Sequence, residues 1–208
     1  MRFHCIILTA IIIILWCDIA ISEDMEFSSI TDTKSKIESS YKITKGIFNI
    51  DINGDGTQDI VITGHRSNIS AHGFNVHSFY IVTPVETPMM QPLPGGTESL
   101  NIIEIKEQEK DFKNSIFAIY TSPFDGEHIV SDLRLIKIKA VKGLFLLKTY
   151  RKISISNSYV DPSDTFLDIY KLKYDELECR YLFIKINSFK TKTKYKNAPE
   201  ALNELGIK

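Results

Sequence analysis

The chain has few cysteines and almost no net charge, and each of these properties excludes a class of protein. The sequence has three cysteines in 208 residues, and two of them, Cys5 and Cys17, lie close to its start. Only Cys179 follows, so a framework of internal disulfides is excluded. Lys plus Arg number 25 against 26 for Asp plus Glu, and no nucleic-acid-binding motif is present. We therefore expect no nucleic-acid partner.

Catalytic motifs are also absent from the sequence. It contains no G-x-S-x-G motif, no phosphate-binding loop and no H-E-x-x-H zinc motif. Ser39 and Lys42 match the S-x-x-K spacing of serine β-lactamases, but that motif belongs at the start of a buried helix. Here it ends a polar segment ahead of a predicted strand, without an S-D-N or K-T-G motif. We therefore expect no catalytic residue and no enzyme activity.

Long apolar runs are missing except at the N-terminus. The chain opens with Arg2 and then runs mainly apolar from Cys5 to Cys17 before it becomes polar. A membrane-spanning helix needs about 20 apolar residues, and no stop-transfer run follows this shorter one. A charged start, a short apolar core and a polar exit are typical of a signal peptide.

Cleavage of this signal peptide is predicted before Glu23, because Ala20 and Ser22 place small residues where signal peptidase requires them. Residues 1–22 would then be removed, and the mature protein would act in the periplasm or be secreted. It would not be an integral membrane protein. The alternative is a lipoprotein signal with Cys17 as the lipidated residue, although a bulky tryptophan precedes that cysteine.

The rest of the chain divides into an arm and one domain. Residues 23–40 are polar and rich in Ser, Thr and Lys, which predicts an arm or linker. In residues 41–208, short runs of Ile, Val, Phe and Tyr alternate with turn residues. This texture predicts a mainly β fold, a single antiparallel β domain that is sandwich-like or barrel-like. The predicted strands are 47–52, 60–63, 78–83, 100–105, 116–121, 129–138, 144–150, 166–174 and 177–186.

Three segments depart from simple strand patterns. Four prolines within 83–96 predict a surface loop, since proline cannot donate to a central ladder. Within 167–174 the apolar alternation shifts phase, as a bulge would cause. At about 197–205 the sequence predicts a short C-terminal helix, with Asn197 as its cap and Gly206 as its stop.

One motif indicates metal chemistry. Oxygen donors recur at every second position in Asp51, Asn53 and Asp55, and Asp59 completes the set of side chains. Thr57 would contribute its backbone carbonyl. Calcium takes six to eight oxygen ligands, and a glycine directly after the third donor permits the tight turn that aims them at one point. The spacing therefore predicts calcium as the cofactor of this loop.

The loop is not an EF-hand, because Ile62 occupies the position of the bidentate glutamate and both flanks read as strands. Its D-x-N-G-D-G-x-x-D pattern resembles the acidic loops of FG-GAP and VCBS proteins. Without that glutamate the affinity would fall in roughly the 10⁻⁴ to 10⁻³ M range of extracellular modules. The competing interpretation is a metal-free hairpin turn built on Asn-Gly and Asp-Gly.

Three histidines, His65, His72 and His77, follow the acidic loop. A zinc site would call for an H-x-H-x-D or H-E-x-x-H pattern or a nearby cysteine, and none is present. We interpret these histidines as hydrogen-bonded structural residues rather than metal ligands.

Four segments carry a family resemblance: "NIDINGDGTQDIVITGHRSNISAHGFNVHSFYIVTP", "GEHIVSDLRLIKI", "LFLLKTYRKI" and "SYVDPSDTFLDIYKLKY". Over residues 41–186 the chain resembles the carbapenem intrinsic-resistance proteins of the CarG type, which are exported bacterial proteins. The resemblance implies protection against a carbapenem without hydrolysis, in the periplasm. It also implies a carbapenem or a cell-wall target protein as partner, and marks Asn68, His72 and Gly73 as signature residues.

Three hypotheses for the function follow. The first is a non-enzymatic carbapenem-resistance protein. The second is a calcium-dependent periplasmic or secreted binding or inhibitor module with no antibiotic role. The third is an unrecognised hydrolase that uses His72 with an aspartate.

Overall fold

The structure is a computed structural model that describes residues 27–66, 73–84, 98–107, 116–122, 129–153 and 160–207. The predicted signal peptide lies outside the described residues, as does nearly all of the proline-rich segment 83–96. No helix in the described part of the chain is both long enough and apolar enough to cross a membrane.

The described chain is mainly β, as the sequence predicts. It begins with the helix α1 (Ile30–Lys36) and ends with a C-terminal 3-10 helix (Ala198–Leu205). The strands between them are β1 (Ile37–Lys42), β2 (Gly46–Ile50), β3 (Asp59–Arg66), β4 (Phe74–Pro84), β5 (Glu98–Lys106), β6 (Ile119–Thr121), β7 (Ser131–Ile138), β8 (Phe145–Lys152), β9 (Asp164–Asp175) and β10 (Arg180–Lys190).

The strands form one curled sheet in the order β1-β7-β8-β9-β10-β5-β4-β3-β2, with β6 paired to β4. Every pair is antiparallel except β5 with β10, which run parallel. The edge strands β1 and β2 are consecutive in the chain, separated only by residues 43–45. The sheet must therefore curl to bring its two edges near each other, which gives the half-barrel shape.

The prediction of a polar arm over residues 23–40 is wrong for its described part. Ser29 caps α1 by accepting a hydrogen bond of 3.0 Å from the amide of Asp32. Phe27 is buried, and its ring packs edge-on against the ring of Phe145, 6.1 Å between centroids. The strand β1 then pairs with β7. Few apolar residues suffice here because the segment covers an existing core, so its composition does not reveal the packing.

Two apolar layers explain the imperfect alternation seen in the sequence. On β7, Leu133 and Leu135 enter one core cluster, while Ile136 and Ile138 enter the other on the opposite face of the sheet. The same division separates residues of β8 and β9. The first cluster contains residues of every strand from β3 to β10, so the sheet curls around it, and we call that side the inner face. The second cluster lies under α1 and the 3-10 helix.

The shift of the apolar pattern in 167–174 arises from these two apolar layers. The bulge that the sequence predicts there does not occur in β9. Leu167 and Ile169 face the outer layer, and Tyr170 and Leu172 face the inner core. The register shift of this strand pair lies in β10 instead, between Lys185 and Asn187.

The strand β6 joins the two sides of the half-barrel at one end. Along one edge it pairs with β4. On the other side, the hydroxyl of Ser122 accepts hydrogen bonds from the amides of Val130, at 2.7 Å, and Ser131, at 3.0 Å, where β7 begins. A single short strand therefore connects β4 to β7 across the inner face.

The C-terminal helix is present where the sequence predicts it, as a 3-10 helix. Gly206 ends it in the left-handed conformation, with φ of 72°. Asn197, however, does not cap it through a side-chain bond to the helix backbone. Its side-chain oxygen instead accepts a hydrogen bond from the amide of Ile129, at 3.0 Å, and so ties the helix to the segment before β7.

Candidate functional site

The acidic loop connects β2 to β3, in the strand-loop-strand context that the sequence indicates. Its first carboxylate, that of Asp51, accepts hydrogen bonds from two glycine amides of the same loop. The distances are 2.7 Å from Gly54 and 2.9 Å from Gly56. The loop therefore folds around Asp51.

The middle of the loop is held by its own side chains. Asn53 donates a hydrogen bond of 2.8 Å to one oxygen of Asp55 and accepts one of 3.0 Å from the Asp55 amide. The other oxygen of Asp55 accepts a hydrogen bond of 2.7 Å from the amide of Thr57. That hydrogen bond holds the pKa of Asp55 below its ordinary value. The carboxylate therefore stays ionised at neutral pH.

Asp59 differs from the other donors because it is fully buried. Its carboxylate accepts hydrogen bonds from the amides of Ile52, at 2.8 Å, Asn53, at 3.3 Å, and Val82 on β4, at 2.9 Å. Burial raises the pKa of Asp59, and the three amide donors oppose that shift. The residue ties both ends of the loop to the neighbouring strand.

Two glycines bring the loop into backbone contact with the turn between β7 and β8. A Cβ on Gly54 would lie 2.5 Å from the amide nitrogen of Gly143, and both glycines have positive φ, 79° and 74°. Beside them the amide of Leu144 donates a hydrogen bond of 2.7 Å to the carbonyl of Ile52. The glycines are thus required by close packing as well as by the turn.

The carboxylates predicted as calcium ligands make hydrogen bonds in the arrangement observed. The carboxylate oxygens of Asp51, Asp55 and Asp59 already accept hydrogen bonds from amides or from Asn53. Among the described residues, no group of three or more His, Cys, Asp and Glu side chains is arranged to hold a metal ion. Calcium binding at this loop stays a prediction.

Of the signature residues, Asn68 and His72 lie outside the described residues. Gly73 directly precedes β4, and a Cβ there would lie 2.7 Å from the imidazole of His65. That imidazole in turn lies 3.3 Å, Nδ1 to Oδ1, from Asn75. Gly73, the signature residue that the structure describes, thus lies beside His65, where β3 pairs with β4.

His77 lies on the inner face, almost fully buried between two threonines. Its Nδ1 is 2.9 Å from the hydroxyl of Thr63, and its Nε2 is 2.7 Å from the hydroxyl of Thr121. Burial lowers the pKa of His77 from 6.5 to about 4. The imidazole is therefore neutral at physiological pH and joins β3, β4 and β6.

A cluster of charged side chains occupies the inner face at the same end of the half-barrel as His77. Lys185 on β10 donates a hydrogen bond to Glu107, and its ammonium nitrogen lies 3.6 Å from a carboxylate oxygen of Asp168. Asp168, nearly fully buried, accepts a hydrogen bond of 2.6 Å from the hydroxyl of Ser188. Glu107 accepts another, of 3.1 Å, from the hydroxyl of Tyr170.

The pKa shifts show which of these groups carry charge. Burial alone would raise the pKa of Glu107, but the hydrogen bond and charge of Lys185 hold it below its ordinary value. Burial lowers the pKa of Lys185, but Glu107 and Asp168 outweigh that effect and raise it. Burial together with Glu107 raises the pKa of Tyr170. The lysine and Glu107 are thus ionised at neutral pH, and the tyrosine is neutral.

Aromatic rings border this cluster on β8 and β9. The rings of Tyr150 and Phe166 stack, with centroids 5.5 Å apart and an interplanar angle of 18°. The ammonium of Lys148 lies 5.4 Å from the centroid of the Tyr150 ring. Burial raises the pKa of Tyr150, and the charge of Asp168 adds to that shift. We call Glu107, Lys148, Tyr150, Asp168 and Lys185 the inner-face cluster.

Sequence reasoning missed the inner-face cluster, although a signal was present. Asp168 interrupts an apolar run in β9, on the same face as Tyr170, and Lys185 interrupts one in β10. Charged residues within strands that are buried on both faces need partners of opposite charge, so this pattern indicates a buried ion pair. Glu107 gave no such signal, because it follows the end of β5 and reaches the cluster only through the fold.

No protein-family model and no curated protein matches this chain. Among solved structures the chain is similar to the crystal structure of CarG, with a TM-score of 0.56 and 22% sequence identity. The similarity covers 80% of this chain and 95% of the CarG chain. At this identity the likeness establishes the fold, and the chain is a CarG-like, curled, mainly β domain.

Proposed function

We propose that this protein is an exported, non-enzymatic protein that confers intrinsic resistance to a carbapenem. The observation that supports the proposal most directly is the CarG-like fold over 80% of the chain. The sequence resemblance to the CarG type rests on separate grounds, namely the acidic loop and the segments that follow it. The resistance role is inferred from the sequence resemblance, whereas the structural similarity supports only the fold.

Protection without hydrolysis is the proposed mode of action. Hydrolysis of a β-lactam requires an activated serine with its base, or a zinc-bound hydroxide. The S-x-x-K match lies on β1, where residues three apart point to opposite faces of the sheet. Ser39 and Lys42 therefore lack the helical geometry of that motif. Binding or shielding of the drug or of its target is the remaining mode.

Export and calcium are separate parts of the proposal. Export is supported by the N-terminal run of the sequence, and we expect mass spectrometry of periplasmic material to show a chain that begins at Glu23. A mass corresponding to lipidated Cys17 would contradict this. Calcium at the acidic loop would act as a stabiliser of the fold, and the protective role does not depend on it.

Expression in a carbapenem-sensitive host tests the proposal. Survival should rise with the abundance of the protein, while the purified protein should leave a molar excess of carbapenem unchanged in its ring absorbance. Multiple turnovers would contradict the non-enzymatic mode and favour the hydrolase hypothesis. Correct export without any gain in survival would favour a binding or inhibitor module with no antibiotic role.

A further inference from the structure

Lys148 on β8 is the second cation of the inner-face cluster, and it stands opposite Asp168 in the pairing of β8 with β9. Among the residues that the structure describes, no Asp or Glu lies within ion-pair distance of its ammonium group. Glu107 and Asp168 instead share Lys185. Lys148 is only partly buried, and its charge acts on Glu107 at longer range. An anion that reaches this face would meet an ammonium group that makes no ion pair with the described residues.

The surroundings of Lys148 offer an apolar surface beside that charge. The ammonium lies over the Tyr150 ring, which is itself stacked on Phe166, and both rings are partly exposed. The side chain of Glu107 is 49% exposed, so the cluster can be reached from solvent. Sites for small ligands combine apolar and aromatic side chains with a few polar groups that fix the orientation of the ligand.

We propose that the inner-face cluster binds an organic carboxylate with a compact ring body. The carboxylate pairs with Lys148, and the ring body contacts Tyr150 and Phe166. This site rests on the proposed function for the identity of its ligand, because a carbapenem is a carboxylate on a compact bicyclic ring. The chemistry of the site itself does not require a β-lactam.

The charges of the cluster predict opposite effects for two substitutions. Lys148→Gln removes the cation that pairs with the ligand, so the ligand should bind at least about tenfold more weakly. Glu107→Gln removes a nearby negative charge and releases Lys185 from it, so the ligand should bind more tightly. A merely structural disturbance would weaken binding in both variants. Lys148→Arg keeps the cation and should retain binding, and Lys45→Gln, on an exposed turn, is the matched control.

The test is an amide-detected NMR titration of the full mature protein with meropenem, meropenem methyl ester and benzoate. The free acid should bind, the ester should bind at least about tenfold more weakly, and the shifts should map to β8, β9 and β10. Because the acid and ester are compared on the unsubstituted protein, this part holds even if a variant fails to fold.

Each result separates this inference from the proposed function. Benzoate binding that is lost in Lys148→Gln, with no binding of meropenem, supports the site and shows that a carbapenem is not its ligand; the survival assay then decides the proposed function separately. Equal meropenem affinity in the parent and Lys148→Gln, or equal affinity for acid and ester, overturns the site and leaves the carbapenem role standing. Binding of neither carboxylate overturns the site.

Discussion

The carboxylate of Asp59, at the end of the acidic loop, accepts a hydrogen bond of 2.9 Å from the backbone amide of Val82 on β4. Its other oxygen accepts the amides of Ile52 and Asn53 at the start of the loop. A residue predicted as a metal ligand thus also closes the loop and joins it to the neighbouring strand. Its burial sets it apart from Asp55, which is exposed.

Asp59→Ala should therefore destabilise the protein far more than Asp55→Ala. Removal of the buried carboxylate leaves three amides without their acceptor, which should cost about 3 kcal/mol or more of the free energy of unfolding. Water can replace the exposed acceptor in Asp55→Ala, so its cost should stay below about 1 kcal/mol. Urea unfolding with a chelator present measures both. Equal losses would contradict the anchoring role of Asp59.

Calcium should raise the melting temperature of the mature domain if the acidic loop binds it. With about 1 mM calcium and a Kd of roughly 10⁻⁴ to 10⁻³ M, binding to the folded state alone adds about 0.4 to 1.4 kcal/mol to the free energy of unfolding. The difference between millimolar calcium and chelator should vanish in Asp55→Ala, because that variant lacks one of the predicted side-chain ligands. If the parent shows no difference, the loop is a hydrogen-bonded turn without metal.

His77 should make the protein less stable as the pH falls below neutrality. The unfolded chain takes up a proton on this histidine near pH 6.5, whereas the folded protein does so only near pH 4. The contribution of His77 to the free energy of unfolding is therefore complete above pH 6.5. It falls by about 3 kcal/mol as the pH drops to about 4.

Comparison with His77→Gln isolates this effect from that of the carboxylates, because the variant keeps them all. The difference in unfolding free energy between parent and variant should shrink over the same pH window. An NMR titration should place the imidazole pKa near 4. A value near 6.5, or a difference independent of pH, would refute the assignment.

Gly54→Ala and Gly56→Ala form a matched pair in the acidic loop. Both glycines have positive φ, 79° and 94°, so alanine carries a backbone strain of about 1–2 kcal/mol at either position. At Gly54 the new Cβ would also lie 2.5 Å from the amide nitrogen of Gly143, whereas at Gly56 nothing lies within 4 Å. Thermal unfolding should give Gly54→Ala a melting temperature well below that of Gly56→Ala. Equal melting temperatures would contradict the backbone contact.

The strands between β2 and β10 were predictable because local patterns dictate them. Each has a run of β-branched and aromatic residues bounded by turn residues, and the structure places a strand in every one of the nine predicted segments. The acidic loop was recognisable for the same reason, since the glycines and alternating donors of Asp51 to Asp59 act within a few residues of one another. The C-terminal helix was recognisable from Pro199 and Gly206.

The sequence by itself determined which segments are strands, because pleat and turn preferences depend on neighbouring residues. Only the tertiary structure decided how the two faces of the sheet are used. Leu135 and Ile136 are adjacent in the chain but enter different cores, since a layer of helices covers one face of β7. It also brought Glu107 to Lys185, 78 residues apart. Such pairs form only when the sheet curls and places β5 beside β10, and no local pattern encodes that pairing.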